Sequence, residues 1–355
     1  MTKKINKKLR IAQVAPLWFS IPPKKYGGTE RIVSYLTEEL VKQGHDVTLF
    51  ASGDSKTNAK LVSVTKKGLI SQGVPWIDYN WAGLNTSVAL GNADKFDIIH
   101  CHWEFFPVFF QRFIKTPVVY TFHNIPKHKD HRWKILDYYK KDMNVVFISN
   151  SEKKNSPIKF KKDWIIYNGI DISNLKFNKE KNNNFVWIGR IDPIKGIENA
   201  IKIAKKLDLR LSLAGQIQEM RKDYFKKIIK PNLSDKIKYL GELSQNQLSD
   251  FYGNAKACLY PIEWEEPFGL VMAESMACGT PVIVFDRGSA KEVVKNGETG
   301  FVVKNINEMA KAIKKIDGIN RSACRERVEE KFTCQRMASN YEKIYYEILK
   351  SKNKK

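Results

Sequence analysis

Two carboxylates, Glu266 and Glu274, lie with seven residues between them in the stretch EEPFGLVMAESMACGTP. Pro267 suits the first position of a helix, which predicts that Glu266 caps that helix and that the next residues present free backbone N–H groups. Glu274 then lies roughly 10 Å further along the helix. Free N–H groups attract phosphate, and carboxylates accept hydrogen bonds from sugar hydroxyls. The spacing therefore fits a diphosphate that joins a ribose to a second sugar.

Two further segments place cations or glycines where a strand is expected to end. GRIDPIKG carries Arg190 and Lys195, and two cations at one strand end can neutralise a diphosphate without a metal. YGGTE carries Gly27 and Gly28 at a helix start, where free amides favour an anion. The alternative for both segments is an ordinary turn with solvated charges. The GxGxxG dinucleotide fingerprint is absent, which argues against NAD.

The elements that must position these residues alternate along the chain. Apolar runs that are typical of buried strands are separated by segments with helical spacing, which predicts parallel sheets covered on both faces. The strand-like runs are LRIAQVAP, HDVTLFAS, KFDIIHCHW, TPVVYTFH, MNVVFISNS, VWIGR, LRLSLAG, KIKYLGE, KACLYP and TPVIVFD. Ligands of such sheets bind at the carboxyl ends of the strands, where all three motifs fall.

The alternation occurs twice, on either side of an Asn/Lys-rich stretch at 168–184 that is typical of an interdomain linker. We therefore expect an α/β protein with two Rossmann-like domains, at 1–168 and 169–335, whose parallel sheets face an interdomain cleft. The last segment, 336–355, has an apolar stripe that includes Met337, Tyr341, Ile344 and Ile348, and we expect it to pack back on the first domain.

Composition restricts the class of protein and of partner. The 355 residues carry a net charge of +23, spread over both halves, and the run 153–162 is a basic cluster. Such a surface attracts nucleic acid, anionic lipid headgroups or phosphorylated metabolites, and the alternative is simply solvated lysines. The five cysteines form no CxxC pair, which indicates a reducing compartment. No apolar run has the length of a membrane helix or of a signal peptide, so we expect a cytoplasmic protein.

The histidines allow two interpretations. His100 and His102 alternate on one expected strand, so both point to one face, and with His123 they suggest zinc, but a fourth ligand at suitable spacing is missing. No metal or cofactor is therefore expected. The other interpretation is that His102 either lines a cleft and touches an acceptor substrate, as Glu104 and Asn124 are also expected to do, or is a hydrogen-bonded core group.

At this point the chain resembles a known enzyme family, the retaining family-four ("group 1") glycosyltransferases of the GT-B fold. EPFGLVMAESMACGTPVI resembles the family's E-x7-E signature, GRIDPIKG its donor-phosphate motif, YGGTERIVSYLTEELVKQGHDVTLFASGDS its amino-terminal motif and NGID its interdomain junction. The wording PLWFSIPPKKYGGTER is similar to a subgroup of antibiotic and pterin glucosyltransferases.

The resemblance implies roles for individual residues. Arg190 and Lys195 hold the donor diphosphate, and Glu274 binds the ribose. Glu266 and His123 lie beside the transferred sugar, which makes these two, with the cationic pair, the catalytic set. The remaining donor contacts are Gly27, Gly28, Gly241, Leu243, Phe268, Gly269 and Leu270.

The implied reaction is transfer of a hexose-type sugar from a nucleoside-diphosphate sugar, a UDP-sugar rather than a GDP-sugar, to an acceptor hydroxyl with retention. No DxD pair is present, so fixed electrostatics rather than a metal are expected to stabilise the leaving diphosphate. The acceptor is open: a small molecule, a glycan or a lipid-linked species, with peripheral contact at the inner face of an anionic membrane. A nucleotide-sugar epimerase or another GT-B enzyme is the alternative, and a nucleic-acid-binding protein is disfavoured because interleaved aromatic and basic residues are absent.

Overall fold

A computed structural model describes residues 8–76, 78–102, 105–123 and 131–352. They divide into two compact units. Unit 1 contains the described parts of Met1–Pro23, Gly27–Gly169 and Cys334–Lys355. Unit 2 contains Lys24–Tyr26 and Ile170–Thr333.

Unit 1 is built on a seven-stranded sheet, all parallel, in the order β3-β2-β1-β4-β5-β6-β7. Strands β4 and β5 are buried along their whole length because helices cover both faces of the sheet. In chain order the elements are β1 (Arg10–Val14), α1 (Gly28–Lys42), β2 (Asp46–Phe50), β3 (Lys60–Val62), α2 (Asn80–Leu90), β4 (Ile98–His102), α3 (Pro107–Phe110), β5 (Val118–Phe122), α4 (Arg132–Tyr139), β6 (Asn144–Phe147), α5 (Asn150–Lys154) and β7 (Lys162–Ile165).

Unit 2 is built on a six-stranded sheet, also all parallel, in the order β10-β9-β8-β11-β12-β13. Its elements are β8 (Asn184–Ile188), α6 (Ile197–Lys206), β9 (Arg210–Ala214), α7 (Lys222–Tyr224), β10 (Ile237–Tyr239), α8 (Gln245–Gly253), β11 (Ala257–Tyr260), α9 (Leu270–Ala277), β12 (Val282–Phe285), α10 (Ala290–Val293), β13 (Gly300–Val303), α11 (Ile306–Ile313) and α12 (Arg321–Lys331). The prediction of an α/β protein with two parallel sheets is confirmed.

The last helix, α13 (Cys334–Lys352), belongs to unit 1, where it packs against α1. The four residues of its predicted apolar stripe, Met337, Tyr341, Ile344 and Ile348, are all buried. Polar contacts add to this packing, since Glu342 pairs with His45 and Glu347 accepts a hydrogen bond from the Trp164 indole. The helix is therefore held in unit 1 by both apolar and polar groups.

Two features of the chain differ from expectation. The stretch that was expected to be a linker packs on unit 2 from Ile170 onwards, because Leu175 is buried and Arg321 and Arg325 donate to its backbone carbonyls. Three short edge strands, β3, β7 and β13, were not expected at all. Each lies at the edge of a sheet, where only one neighbour constrains the strand and the apolar pattern is weaker.

Candidate active site

Each sheet has a point where the strand order reverses, beside β1 in unit 1 and beside β8 in unit 2. Open parallel sheets bind ligands at the carboxyl edge of such a point. In unit 1, His102 ends β4 and His123 follows β5. In unit 2, Arg190 follows β8 and Glu266 follows β11. The residues singled out from the sequence therefore lie at the edges where a ligand is expected.

Glu266 is held by three donors that converge on one carboxylate oxygen. Its Oε2 accepts from the Tyr260 hydroxyl at 2.7 Å, from Lys195 Nζ at 2.8 Å and from Trp264 Nε1 at 3.1 Å. No described residue donates to Oε1, and that oxygen is not fully buried. The carboxylate is thus fixed through one oxygen and keeps the other for a ligand hydroxyl.

Lys195 reaches Glu266 because the loop that follows β8 touches the end of β11. Gly196 lies so close to Pro261 that a Cβ on it would fall 1.8 Å from the Pro261 carbonyl oxygen. The Lys195 ammonium lies 4.5 Å from the centroid of the Trp264 ring, over which it forms a cation–π contact. The close approach at Gly196 therefore allows the cation, the indole and the carboxylate to form one cluster.

A second loop holds the backbone of Glu266 from the side of β12. Gly288 has a φ of +55°, and a Cβ on it would lie 2.2 Å from the Glu266 carbonyl oxygen. Ser289 donates its N–H to that oxygen at 2.9 Å and its hydroxyl to the Phe268 carbonyl at 2.8 Å. The segment that carries Glu266 is therefore fixed at both its side chain and its backbone.

Arg190 is held less tightly than Lys195. Its guanidinium lies 3.6 Å from Asp192 Oδ2, an oxygen that also accepts from Arg221 Nε at 3.1 Å. Arg190 Nε is buried and has no hydrogen-bond partner among the described residues. The Arg190 side chain as a whole is 25% exposed, which leaves part of it open to an anionic ligand.

The helix beyond Glu266 begins later than predicted. Helix α9 starts at Leu270, with Gly269 before it at a φ of +78°, so Pro267 is not its first residue and Glu266 does not cap it. The left-handed conformation of Gly269 turns the chain, and Phe268 is buried. Neither the Leu270 N–H nor the Val271 N–H donates to any described residue, so the free amides of the helix start begin at Leu270, the last of the three residues for which they were predicted.

Glu274 lies inside α9 and is 6% exposed. Its Oε2 accepts a hydrogen bond from the Tyr252 hydroxyl at 3.2 Å. Burial, together with the neighbouring Glu274 carboxylate, raises the pKa of Tyr252 well above its usual value, so this hydroxyl remains a donor. The contact orients the Glu274 carboxylate from the protein side.

The expected base-contacting residues follow β10. Gly241 has a φ of +78°, and a Cβ on it would meet no atom within 4 Å. Leu243 is half-buried, and Ser244 begins α8 with a capping box. Gly241 therefore has open space in front of it, whereas Leu243 is partly engaged in packing.

The glycine pair of unit 1 lies at the start of α1. Gly27 has a φ of +140°, and a Cβ on it would fall 2.7 Å from Pro23 Cβ. Gly28 is the first helical residue, and the Gly28 and Thr29 N–H groups have no acceptor among the described residues. Burial raises the pKa of Glu30, two residues further on, to about 7. Near neutral pH Glu30 is therefore partly protonated, and it repels an anion at this helix start less than a fully ionised carboxylate would.

His100, His102 and His123 lie together in unit 1. His102 is fully buried, and its ring bonds His123 Nε2 at 3.1 Å and Gln13 Oε1 at 2.5 Å, which favours a hydrogen-bonded core group; contact of His102 with an acceptor stays a prediction. His123 is half-buried. Burial lowers the pKa of His123 to about 3 and that of His102 well below its usual value. His123 is the member of this cluster that reaches the surface.

The other two residues expected to touch an acceptor, Glu104 and Asn124, lie outside the described residues. Within residues 8–76, 78–102, 105–123 and 131–352, no three His, Cys, Asp or Glu side chains gather as a metal site would need. Nor is any helix in these ranges long and apolar enough to cross a bilayer.

Two family models cover most of the chain. The model described as "Glycosyl transferases group 1" matches residues 171–330, and the model described as "Glycosyltransferase Family 4" matches residues 26–174. The chain belongs to the group 1, family-four glycosyltransferases. The motifs of Arg190, Lys195, Glu266 and Glu274 all fall within the first match, and those of Gly27 and His123 fall within the second.

Individual relatives of this glycosyltransferase agree with the family. It is 27% identical over 351 residues to an uncharacterized glycosyltransferase of Methanocaldococcus jannaschii, covering 86% of this chain and 88% of the relative. Its fold is similar to that of AviGT4, a glycosyltransferase involved in avilamycin A biosynthesis (TM-score 0.73, 22% identity, 97% and 98% of the two chains). It is also similar to Anabaena Alr3699/HepE, solved in complex with UDP and glucose (TM-score 0.75, 18% identity, 96% and 100%). These likenesses confirm the GT-B fold.

Several residues of the site escaped sequence reasoning. Tyr260 and Trp264 both precede Glu266 by a few positions in LYPIEWEE, so aromatic residues close to the first carboxylate were an available signal. Gly288 and Ser289 come shortly after the strand VIVFD, at the carboxyl edge of the sheet, and this position was a second signal. No sequence signal pointed to Gln13, because a single polar residue inside a strand does not reveal which residue it bonds.

Proposed function

We propose that this glycosyltransferase transfers a hexose from a nucleoside-diphosphate sugar to an acceptor hydroxyl, with retention of anomeric configuration and without a metal. The observation that carries the proposal is the Glu266 cluster, in which Lys195, Tyr260 and Trp264 hold one carboxylate oxygen and leave the other for a sugar hydroxyl. We favour UDP-sugars as donors.

The diphosphate needs positive groups, and unit 2 supplies two cations and two backbone amides. Lys195 and Arg190 lie on one loop, and the Leu270 and Val271 amides lie at the start of α9. As the bond between the anomeric carbon and the phosphate oxygen breaks, these groups stabilise the charge that develops on the leaving diphosphate. Because their positions are fixed before reaction, they replace a metal ion by preorganised electrostatics.

In the proposed front-face reaction, the acceptor oxygen bonds the anomeric carbon on the face from which the diphosphate departs. The departing phosphate oxygen takes the proton of the acceptor hydroxyl, so atoms and charge balance without a protein nucleophile. Glu266 stabilises positive charge on the sugar ring, and Glu274 accepts the ribose hydroxyls. The family's roles for Gly27, Gly28 and Gly241 as donor contacts are part of the same proposal.

A donor screen tests the proposal. The protein is incubated with UDP- and GDP-sugars in EDTA, and thermal shift and slow hydrolysis of each donor are measured. We expect stabilisation and release of free sugar with a UDP-sugar. NMR identification of the anomer that is first released decides between retention and inversion. Activity that disappears in EDTA and returns with Mg²⁺ or Mn²⁺ would refute metal independence, whereas an epimerised donor would favour the alternative enzyme class.

The location of the enzyme is a further part of the proposal. The five cysteines are buried and unpaired, which fits a cytoplasmic enzyme. In the run 153–162, Ile158 and Phe160 pack into the core of unit 1, whereas the lysines are exposed. A groove of about 310 Å³ beside this run is lined by Lys161, Lys162 and Trp164. We propose that this surface contacts anionic lipid headgroups at the inner membrane face.

A further inference from the structure

A buried chain of hydrogen bonds in unit 1 joins the C-terminal helix to His123. The Tyr345 hydroxyl of α13 lies 3.4 Å from Gln13 Nε2 on β1. Gln13 Oε1 lies 2.5 Å from His102 Nε2 on β4, and His102 Nδ1 lies 3.1 Å from His123 Nε2. Gln13, His102 and Tyr345 are almost or completely buried. The half-buried imidazole of His123 is thus the outer end of a chain of hydrogen bonds that is otherwise buried.

The Gln13 amide determines which nitrogen of His102 carries hydrogen. An amide oxygen only accepts hydrogen bonds, so His102 must carry its hydrogen on Nε2. At 2.5 Å the two atoms must share a hydrogen, and with the oxygen of the amide facing His102 that hydrogen belongs to the imidazole. Burial keeps the His102 ring neutral by lowering its pKa, so its Nδ1 bears a lone pair.

The same logic determines the tautomer of His123. Because His102 Nδ1 can only accept, the hydrogen between the two rings belongs to His123 Nε2. In the neutral ring, Nδ1 of His123 is then unprotonated. No described residue donates to this nitrogen, and it is not fully buried. His123 therefore offers an acceptor, not a donor, to a ligand.

The other end of the Gln13 amide bonds α13. If the amide turned over, its NH2 group would face His102, and the hydrogens on both histidines would move to the opposite nitrogens. In the observed orientation the amide donates to the Tyr345 oxygen, and the Tyr345 hydroxyl donates in turn to His100 Nδ1 at 2.7 Å. The neutral His100 ring then carries its hydrogen on Nε2 and donates it to Thr121 Oγ1 at 2.7 Å. Each hydrogen bond of this path thus pairs one donor with one acceptor.

We propose that Gln13 and Tyr345 are positioning residues that hold His123 as the Nε2–H tautomer, so that Nδ1 accepts a hydrogen bond from a hydroxyl of the bound sugar. The ligand part of this inference rests on the proposed function, whereas the tautomer does not. A C-terminal helix more than two hundred residues from His123 in the sequence thereby controls the hydrogen-bonding character of that residue.

The tautomer is measured directly by ¹⁵N NMR of the ligand-free protein with labelled histidine, using His123→Gln to assign the signal. We expect a protonated Nε2 and a bare Nδ1 in the wild type. In Gln13→Met and in Tyr345→Phe, both tautomers should become populated. Tyr341→Phe is the matched control, because it removes a buried hydroxyl from the same helix that bonds Thr121 at 2.9 Å and lies off the path to His123.

A wild-type His123 protonated on Nδ1 would overturn the inference, as would either Gln13→Met or Tyr345→Phe keeping the wild-type pattern. If Gln13→Met does not fold, Tyr345→Phe carries the test. Once a donor is found, kcat/KM should fall about two- to tenfold in these two variants, the factor of one neutral hydrogen bond, with unchanged affinity for free nucleoside diphosphate. Since the NMR experiment contains no donor, a failed donor screen would leave its result intact.

Discussion

Lys195 Nζ lies 2.8 Å from Glu266 Oε2, although 71 positions separate the two residues in the chain, and both side chains are largely buried. The ion pair is formed before any ligand arrives. Because Tyr260 and Trp264 also donate to Glu266 Oε2, the carboxylate stays satisfied when the ammonium turns towards an anion. Lys195 can therefore move towards an anion while Glu266 Oε2 keeps two hydrogen bonds, from Tyr260 and Trp264.

The first prediction concerns Lys195→Met. Loss of a charged hydrogen-bond donor to the diphosphate should weaken nucleoside-diphosphate affinity by about 1.5–3 kcal/mol. Isothermal titration calorimetry measures this, and Lys202→Met, an exposed lysine of α6 in the same unit, is the matched control. Equal affinities for Lys195→Met and the control would contradict the role given to Lys195.

The second prediction separates affinity from stability at Glu274. Glu274→Ala should weaken nucleoside-diphosphate affinity by about 1.5–3 kcal/mol and abolish the preference for UDP over 2′-deoxy-UDP, because in the proposed function this carboxylate accepts the ribose hydroxyls. It should also lower the free energy of unfolding by about 1–3 kcal/mol, since the buried Tyr252 hydroxyl loses its acceptor. Adding Tyr252→Phe should restore stability but not affinity. A Glu274→Ala variant that still discriminates against 2′-deoxy-UDP would disprove the ribose assignment.

The third prediction tests the loop behind Glu266. In Gly288→Ala, the new Cβ would lie 2.2 Å from the Glu266 carbonyl oxygen, so the loop must move and donor affinity should fall. Gly297→Ala is the matched control, because Gly297 also has a positive φ, of +80°, but has no atom within 4 Å of its Cβ position. Both variants should lose about 1 kcal/mol of stability from backbone strain, and Gly288→Ala should lose more. Equal losses, with unchanged donor affinity, would show that the contact is unimportant.

The fourth prediction is the behaviour of the buried histidines with pH. Burial lowers the pKa of His123 to about 3 and that of His100 and His102 well below their usual range. Imidazole NMR signals of these three residues should therefore not titrate between pH 5.5 and 8 in the folded protein. A signal from any of the three that titrates near pH 6.5 would be incompatible with the buried network.

The lowered pKa values of these histidines also determine how the free energy of unfolding changes with pH. Below about pH 6.5 the unfolded histidines bind protons that the folded ones do not, so stability falls as pH falls, by up to about 1.4 kcal/mol per pH unit for each histidine. Glu30 acts in the opposite sense, because its pKa is raised to about 7 and its contribution is lost as pH rises through that value. Urea unfolding of the wild type and Glu30→Gln at pH 5.5 and 7.5 separates the two contributions, and Glu30→Gln should show the steeper acid loss.

The fifth prediction concerns the basic surface of unit 1. Sedimentation with anionic liposomes should detect binding at low ionic strength that weakens with salt, because screening shortens the range of the attraction. The test variant changes four exposed lysines of the run 153–162 to glutamine: Lys154, Lys159, Lys161 and Lys162. The control changes four exposed lysines of unit 2: Lys226, Lys227, Lys230 and Lys238. Binding that both variants lose equally would indicate general charge attraction rather than this surface.

The sequence alone determined that there are two parallel sheets and where the main strands fall along the chain, because each buried strand is a local apolar run between turn residues. It also determined that Arg190, Lys195, Glu266 and Glu274 follow strands of the second half, because a motif is read from neighbouring positions. Its error at Pro267 was local as well, since the left-handed turn at Gly269 depends on packing around Phe268 and could not be read from helix-start signals.

Only the tertiary structure decided which groups complete the site. Tyr260, Trp264 and Lys195 meet on one oxygen because strand ends and loops converge there, and Gly196 and Gly288 permit that approach by lacking a Cβ. Likewise, Gln13 and Tyr345 are 332 positions apart, and their contact exists only because α13 packs against unit 1. Hydrogen-bond partners are set by positions in space, and a spacing rule for one helix or one strand carries no information about partners on another element.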